Sequence, residues 1–448
     1  MKRLYDDNLY RFNEPQASYW EATAGDRPVA VVGLQKDETC DVAIIGGGYT
    51  GLSAALHLAR DYDIDVRVLD AGHIGWGASG RNGGFCCIGG TGVQRRDLIK
   101  LYGEENAKDF VRAQVEAVEH VRRIAAEENL EIQASGAAEL EVAHTPKAFD
   151  RLQDDHELLT NTYGVDSEIV GADEFRERYY DSTEQFGALI SRPGFALHPL
   201  RYCKGLANAA VRHGATLHEH SEVLEWRKGD DGLHRLVTAG GAIKARRVVF
   251  ATNGFMPEQL KPEFYGRTMP VVSAIVVTRE LDADERAAQQ WRTDHPTINC
   301  RRILNYFRLL PDNRFLFGGR GHTNGDARGE RRNYEDIIST FHRIWPAWSD
   351  VAIEYRWHGL ICMTSTFCPS LGQLEDDSSV FFSYGYHGNG VNTASWSGKQ
   401  LADWIGNGRS PQLPEIVKGL GRKYPLPGLR MKYLQLGIGV SAWLDRRS

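Results

Sequence analysis

Short apolar runs rich in β-branched and aromatic residues recur at 42–45, 66–70, 247–252 and 380–384. They are short and mostly apolar, the pattern of strands buried in a parallel sheet. The first leads directly into a helical stretch at 52–59 and the last into another at 392–405. Between these strands the pattern changes character. Residues 104–128 carry helical periodicity, with Ala107, Phe110, Val111, Val115, Val118, Val121 and Ile124 on one face. Stretches 136–142, 186–190 and 271–279 read as strands of a second sheet. Runs 302–309 and 314–317 flank Pro311-Asp312-Asn313, which predicts a hairpin. His198-Pro199 opens a helix over 200–213, leading through Gly214 to a strand over 216–223.

The expected fold class is therefore α/β, with a discontinuous parallel-sheet domain and an α+β domain built on an antiparallel sheet. The first domain is expected over 1–100, 198–260 and 355–415, the second over 101–197 and 261–354, with 416–448 as a C-terminal docking tail. A chain of 448 residues exceeds one ordinary core, which agrees with two domains.

Charge narrows the function classes. Lys and Arg number 53 against 59 Asp and Glu, without basic runs, so no nucleic-acid partner is expected. Seven scattered cysteines form neither a CxxC pair nor a Cys/His cluster, which predicts reduced thiols, no metal and a cytoplasmic setting. The first residues hold no apolar signal segment, and no stretch reaches the ~20 apolar residues of a membrane span. The apolar tail 434–444 admits peripheral membrane contact, but docking on its own protein is the expectation. Composition leaves the oligomeric state open.

Chemistry enters at 41–60, Asp-Val-Ala-Ile-Ile-Gly-Gly-Gly-Tyr-Thr-Gly-Leu-Ser-Ala-Ala-Leu-His-Leu-Ala-Arg. A buried strand, a GxGxxG turn and a helix start build a Rossmann-like dinucleotide pyrophosphate site. Gly46 permits the turn, Gly48 lets backbone approach phosphate, and Gly51 lets helix pack on strand. Asp70, at the end of the second strand, suits a ribose hydroxyl and disfavours a 2′-phosphate.

Two further segments favour FAD over NAD. Gly75-Trp76-Gly77-Ala78-Ser79-Gly80-Arg81-Asn82-Gly83-Gly84 is dense in small residues over a length suited to an extended flavin dinucleotide. Tyr384-Gly385-Tyr386-His387-Gly388-Asn389-Gly390 aims a second helix start at an anion, useful at the flavin ring end that gains negative charge on reduction. Ala251-Thr252-Asn253-Gly254 closes a strand at the edge where open α/β sheets bind ligands.

The ordered segments IIGGGYTGLSAALHLA, VLDA, GWGASGRNGG, HPL, ATNGF, YRWHG and GYHGNGV resemble the D-amino-acid oxidase-like FAD-dependent oxidoreductases, nearest the gamma-glutamylputrescine oxidase group, over almost the whole chain. The resemblance implies an FAD domain beneath a substrate-domain sheet. It implies hydride transfer from the α-carbon of a neutral amine to flavin N5, hydrolysis of the imine, and reoxidation by O2 with release of H2O2.

The cofactor contacts expected from these segments are Gly46, Gly48, Tyr49, Thr50, Gly51, Asp70, Ala71, Gly77, Ala78, Ser79, Arg81, Asn82, Gly83, Gly84, Val223, Ala251, Thr252, Asn253, Gly254, Gly388, Asn389, Gly390 and Val391. FAD is expected to be bound non-covalently, since nothing around Cys86 and Cys87 supports a covalent link. Phe317-Gly318-Gly319-Arg320 departs from the group's YGGG, and Arg320 there would clamp a substrate carboxylate or sulfonate or else be a surface residue. His387, Arg320 and Trp357 are the candidate catalytic residues, with His358, Tyr306 and Phe307 as further lining of an amine pocket. Three functions stand: an amine oxidase, an amine or amino-acid dehydrogenase that passes electrons to a carrier, and a non-catalytic flavin-binding partner protein.

Overall fold

The computed structural model describes residues 3–25, 31–323 and 325–445, with side chains described as far as Ser441. Five parallel strands form the centre of an eight-stranded sheet, in the order Val380–Tyr384, Ala242–Phe250, Glu38–Ile45, Val66–Leu69, Thr216–His218. Ser370–Gln373 pairs antiparallel on one edge. Glu225–Lys228 and His234–Val237 form an antiparallel hairpin on the first half of Ala242–Phe250. That hairpin is why the strand expected at 247–252 begins earlier. The strand expected over 216–223 stops at His218, because His220 takes a positive φ of 48° and Ser221 N–H donates to Asp70 O.

Helices Tyr49–Tyr62, Pro199–Arg212 and Gly390–Asn407 pack beside one another. The first and last nearly touch. A Cβ on Gly398 would lie 2.4 Å from Thr50 O and 2.8 Å from Ala54 N, so only glycine permits this crossing. Ser53 Oγ donates to Ser395 O across it at 2.6 Å.

The second eight-stranded sheet runs Ile353–Thr364, Thr268–Glu280, Arg314–Arg320, Tyr306–Leu309, Thr297–Asn299, Glu139–Val142, Gly187–Ser191, Ser167–Gly171. All neighbours are antiparallel except Thr297–Asn299 with Glu139–Val142. Ile353–Thr364 thus belongs to this sheet, so the boundary expected near 355 falls inside one of its strands. The hairpin expected from 302 starts at Tyr306, because Asn305 N–H donates to Asn299 Oδ1 and closes a loop ahead of it.

One face of this sheet packs under helix Ala327–Ile344, with Ala274, Val276, Phe315, Phe317, Tyr334, Ile337 and Phe341 in a shared core. Ile275, Val277, Leu316 and Trp357 project the other way and join the core of the parallel-sheet unit. The alternation of strand side chains therefore makes this sheet a roof over the carboxyl ends of the parallel strands.

Candidate active site and cofactor channel

A channel with about 1220 Å³ of unfilled space, part of it open to solvent, runs between the two sheets. Its walls combine segments far apart in sequence: Ile45–Thr50, Leu69–Ala71, Gly75–Ser79, Ala251–Asn253, Leu360–Cys362 and Tyr386–Gly388. Helices Tyr49–Tyr62 and Gly390–Asn407 both begin on it. Neither has a side-chain cap or an acidic residue in its first turn, so both ends turn positive partial charge toward the channel.

At the first helix, Gly46 adopts a φ of 111°, and a Cβ on Gly51 would fall 1.9 Å from Gly46 O. Gly51 therefore serves the close packing of helix on turn and does not itself line the channel. Tyr49 N–H donates to Ser79 Oγ at 3.0 Å, which ties the GWGASG segment to the helix start. Asp70 accepts from Gly47 N–H at 2.6 Å and Gly72 N–H at 2.8 Å, while burial raises its carboxyl pKa.

Of the cofactor contacts expected from sequence, Gly46, Gly48, Tyr49, Thr50, Asp70, Ala71, Gly77, Ala78, Ser79, Asn82, Val223, Ala251, Thr252, Asn253, Gly388, Gly390 and Val391 lie on the channel, as does the catalytic candidate His387. Gly83, Gly84, Arg81, Gly254 and Asn389 do not, and their surroundings explain why. The space beside Gly83 holds the Tyr306 ring, 3.1 Å from where a Cβ would stand. Gly84, at a φ of 78°, lets the chain pass Leu197 O. Gly254 faces Leu360 of the roof. Asn389 turns its amide away to donate to Cys87 O at 2.8 Å.

Arg81 lies behind the channel wall, its guanidinium 3.9 Å from the centre of the Trp76 ring and its Nη1 donating to His358 O. Burial lowers its pKa to about 9.

The expected amine pocket is divided by strand alternation. Tyr306 faces the parallel-sheet unit, with its hydroxyl 2.9 Å from Ser273 Oγ, whereas Phe307 packs 4.8 Å from Trp345 in the opposite core. Trp357 is buried, and its Nε1 donates to Arg81 O at 2.9 Å, so it braces the loop below. His358 faces Glu330 of the covering helix at 3.2 Å. Arg320 pairs with Ser273, which pairs in turn with Gly359, so all three share the sheet face turned to the parallel-sheet unit, but none of them lines the channel itself. Among the described residues Arg320 has no ion pair, and its Nε is buried without a partner.

His387 adopts a φ of 51° on the channel wall. Burial lowers its pKa to about 4, which keeps the ring neutral. Its Nε2 lies 3.2 Å from Thr364 Oγ1, and its Nδ1 has no partner among the described residues. Thr252 Oγ1, also on the channel, is likewise buried without a partner. Two unsatisfied polar atoms and two helix starts without an acidic residue in the first turn, on one elongated channel, fit a long anionic ligand with polar edges, such as FAD.

Cys86 and Cys87 are buried, and burial pushes both thiols far up, so neither offers a thiolate. All seven cysteines are free, and no metal-binding cluster occurs among the described residues.

Sequence reasoning missed Phe12, Glu222, Phe255 and Leu360 on the channel. Phe12, Trp76 and Phe255 form an aromatic wall, with ring centroids 4.8 and 5.4 Å apart along it. Nothing in the local pattern around Phe12 marks it, because the chain brings it there from outside either sheet.

A parallel sheet with a GxGxxG helix start, roofed by an antiparallel sheet across a long channel, is the build of a flavin-dependent oxidoreductase. The chain belongs to the FAD dependent oxidoreductase family, whose model matches residues 41–404. It is 30% identical over 97% of its length to the gamma-glutamylputrescine oxidoreductase of Escherichia coli K12, covering 99% of that protein. It is 32% identical to a probable oxidoreductase, OrdL, of Rhizobium meliloti, covering 96% of this chain and 98% of that one. In fold it matches glycine oxidase from Geobacillus kaustophilus, with a TM-score of 0.70 and 20% identity over 84% of this chain and 96% of that one.

Proposed function

We propose that the protein oxidises the C–N bond of a small polar amine that carries an anionic group, a gamma-glutamylputrescine-like compound, and yields an imine that water converts to an aldehyde. The identity to gamma-glutamylputrescine oxidoreductase along nearly the full length of both chains carries this reading. Bound non-covalently along the channel, FAD would supply the two-electron acceptor.

The protein's part is to bind and orient. The start of Tyr49–Tyr62 would hold the pyrophosphate, and Asp70 would take the ribose end. The start of Gly390–Asn407 would favour negative charge growing at the ring. Arg320 would pair with the substrate's carboxylate, and Tyr306 with Ser273 would offer hydroxyls beside it. No acid–base dyad is required, because an amine bound in its neutral form needs chiefly the right orientation.

The test is turnover of candidate amines in aerobic buffer. Peroxide formed in step with amine consumed is the expected result. Turnover only with an added redox dye would replace the oxidase by a dehydrogenase. A bound flavin that no amine, amino acid or imine reduces would reject the enzyme reading of the site.

A further inference from the structure

Helix Arg430–Asp445 bears two apolar stripes. Met431, Leu434 and Ile438 are spaced i, i+3, i+7 and pack against the cluster of Met269, Val271, Tyr424 and Met363. Tyr433, Leu436 and Val440 have the same spacing but are 36%, 69% and 49% exposed. Leu429, four residues before Tyr433, and Leu426 in the turn leading into the helix are 47% and 69% exposed. A helix docked by one stripe is ordinarily polar on its outer face. This one holds no charged residue from Tyr433 through Leu444.

Charge surrounds the uncharged stretch. Residues 416–448 contain Lys418, Arg422, Lys423, Arg430, Lys432, Arg446 and Arg447 against Asp445 alone, a net +6. The whole chain is −6, so the residues before them carry −12. Arg430 is committed to Glu258 at 2.6 Å, and Lys418 pairs with Glu415. Arg422, Lys423 and Lys432 form no ion pair among the described residues.

We propose that this helix seats the protein on an anionic lipid surface. The stripe Leu429–Tyr433–Leu436–Val440 enters the headgroup–acyl boundary, and the basic residues around it meet lipid phosphates. The twelve uncharged residues fall short of the ~20 needed to span a bilayer, so the helix lies on the membrane. A two-fold contact with a second copy is disfavoured because it would set the Arg422, Lys423 and Lys432 side chains of one copy, none in an ion pair among the described residues, against those of the other. The inference does not rest on the identity of the amine.

Full-length, flavin-loaded protein is sedimented with vesicles of pure phosphatidylcholine, or with a third of the lipid replaced by phosphatidylglycerol. Partitioning at least ~10-fold stronger onto the anionic vesicles, and reversed by half-molar salt, is expected. The double variant Leu436→Glu, Val440→Glu should lose that binding by ~10-fold or more while keeping bound flavin and its turnover in buffer. Lys432→Glu should weaken it less. Equal or absent binding to the two vesicle types overturns the proposal. So does a wild-type dimer that the double variant converts to monomer without any lipid binding.

Discussion

Arg320 forms no ion pair among the described residues, its Nε is buried without a partner, and Asp336 is the one carboxylate that offsets the burial of its charge, which leaves it able to take an anionic ligand. Arg320→Gln should reduce kcat/KM for a carboxylate-bearing amine by about 10- to 100-fold, mostly through KM, as expected for loss of a charged hydrogen bond worth ~1.5–3 kcal/mol. An uncharged amine of similar size should be affected little, and steady-state kinetics with the two substrates separates the cases. For His387 the sign of the pH effect follows from burial. With a pKa of about 4 it is deprotonated throughout the neutral range. Any limb of the pH–rate profile between about pH 6 and 8 therefore belongs to another group. His387→Asn should lower kcat by ~10-fold, the value of about one hydrogen bond, and leave those limbs in place. A limb that vanishes in the variant would contradict this assignment.

At the scale of elements, the two helix starts meet on one channel because Tyr49–Tyr62 and Gly390–Asn407 cross at Gly398 with almost no separation. Gly398→Ala would place a methyl group against backbone atoms that cannot turn aside. The expected cost is about 2–4 kcal/mol, read as a lower thermal midpoint, together with earlier loss of flavin on gel filtration. Strand alternation explains why the aromatic pocket was only partly legible. Tyr306 and Phe307 are neighbours in sequence, and nothing in that run says which one faces the channel until the register with Arg314–Arg320 is known. The glycines show the same divide. Gly46, Gly48 and Gly51 have roles readable from their spacing, whereas Gly83 and Gly84 answer to Tyr306 and Leu197, far away in the chain.

For the molecule as a whole, buried titratable groups set a pH dependence of stability. Burial lowers His387 and His234 to about 4 and His198 to about 3. The unfolded chain binds protons at these sites from about pH 6.5 downward, so their stability contribution is full above that pH and is lost as pH falls toward their folded values. Glu139 acts in the opposite sense. Burial, with Glu141 nearby, raises it to about 8, so its contribution is lost as pH rises from its ordinary range through that value. The thermal midpoint should therefore climb by several degrees from pH 4.5 to 6.5, where three histidines outweigh one glutamate. Glu139→Gln should match the wild type at or below about pH 4.5 and exceed its midpoint by a margin that grows from there to about pH 8, measured by calorimetry across that range. An unchanged difference between the two proteins would show that Glu139 ionises without cost.

The amino-acid order alone determined the parallel strands, the dinucleotide turn and the acid at Asp70, because these depend on residues within one strand–turn–helix unit. Local spacing also marked the second helix start at Gly388–Gly390 as a place for a ligand. Only the tertiary structure decided which of the remaining candidates reach the channel. Arg320 shares a face with Ser273 and Gly359 through strand register, Trp357 turns into the core, and Phe12 closes a wall from outside both sheets. Contacts of that kind are fixed by packing between distant segments, and a linear chain carries no direct mark of the partner each side chain will meet.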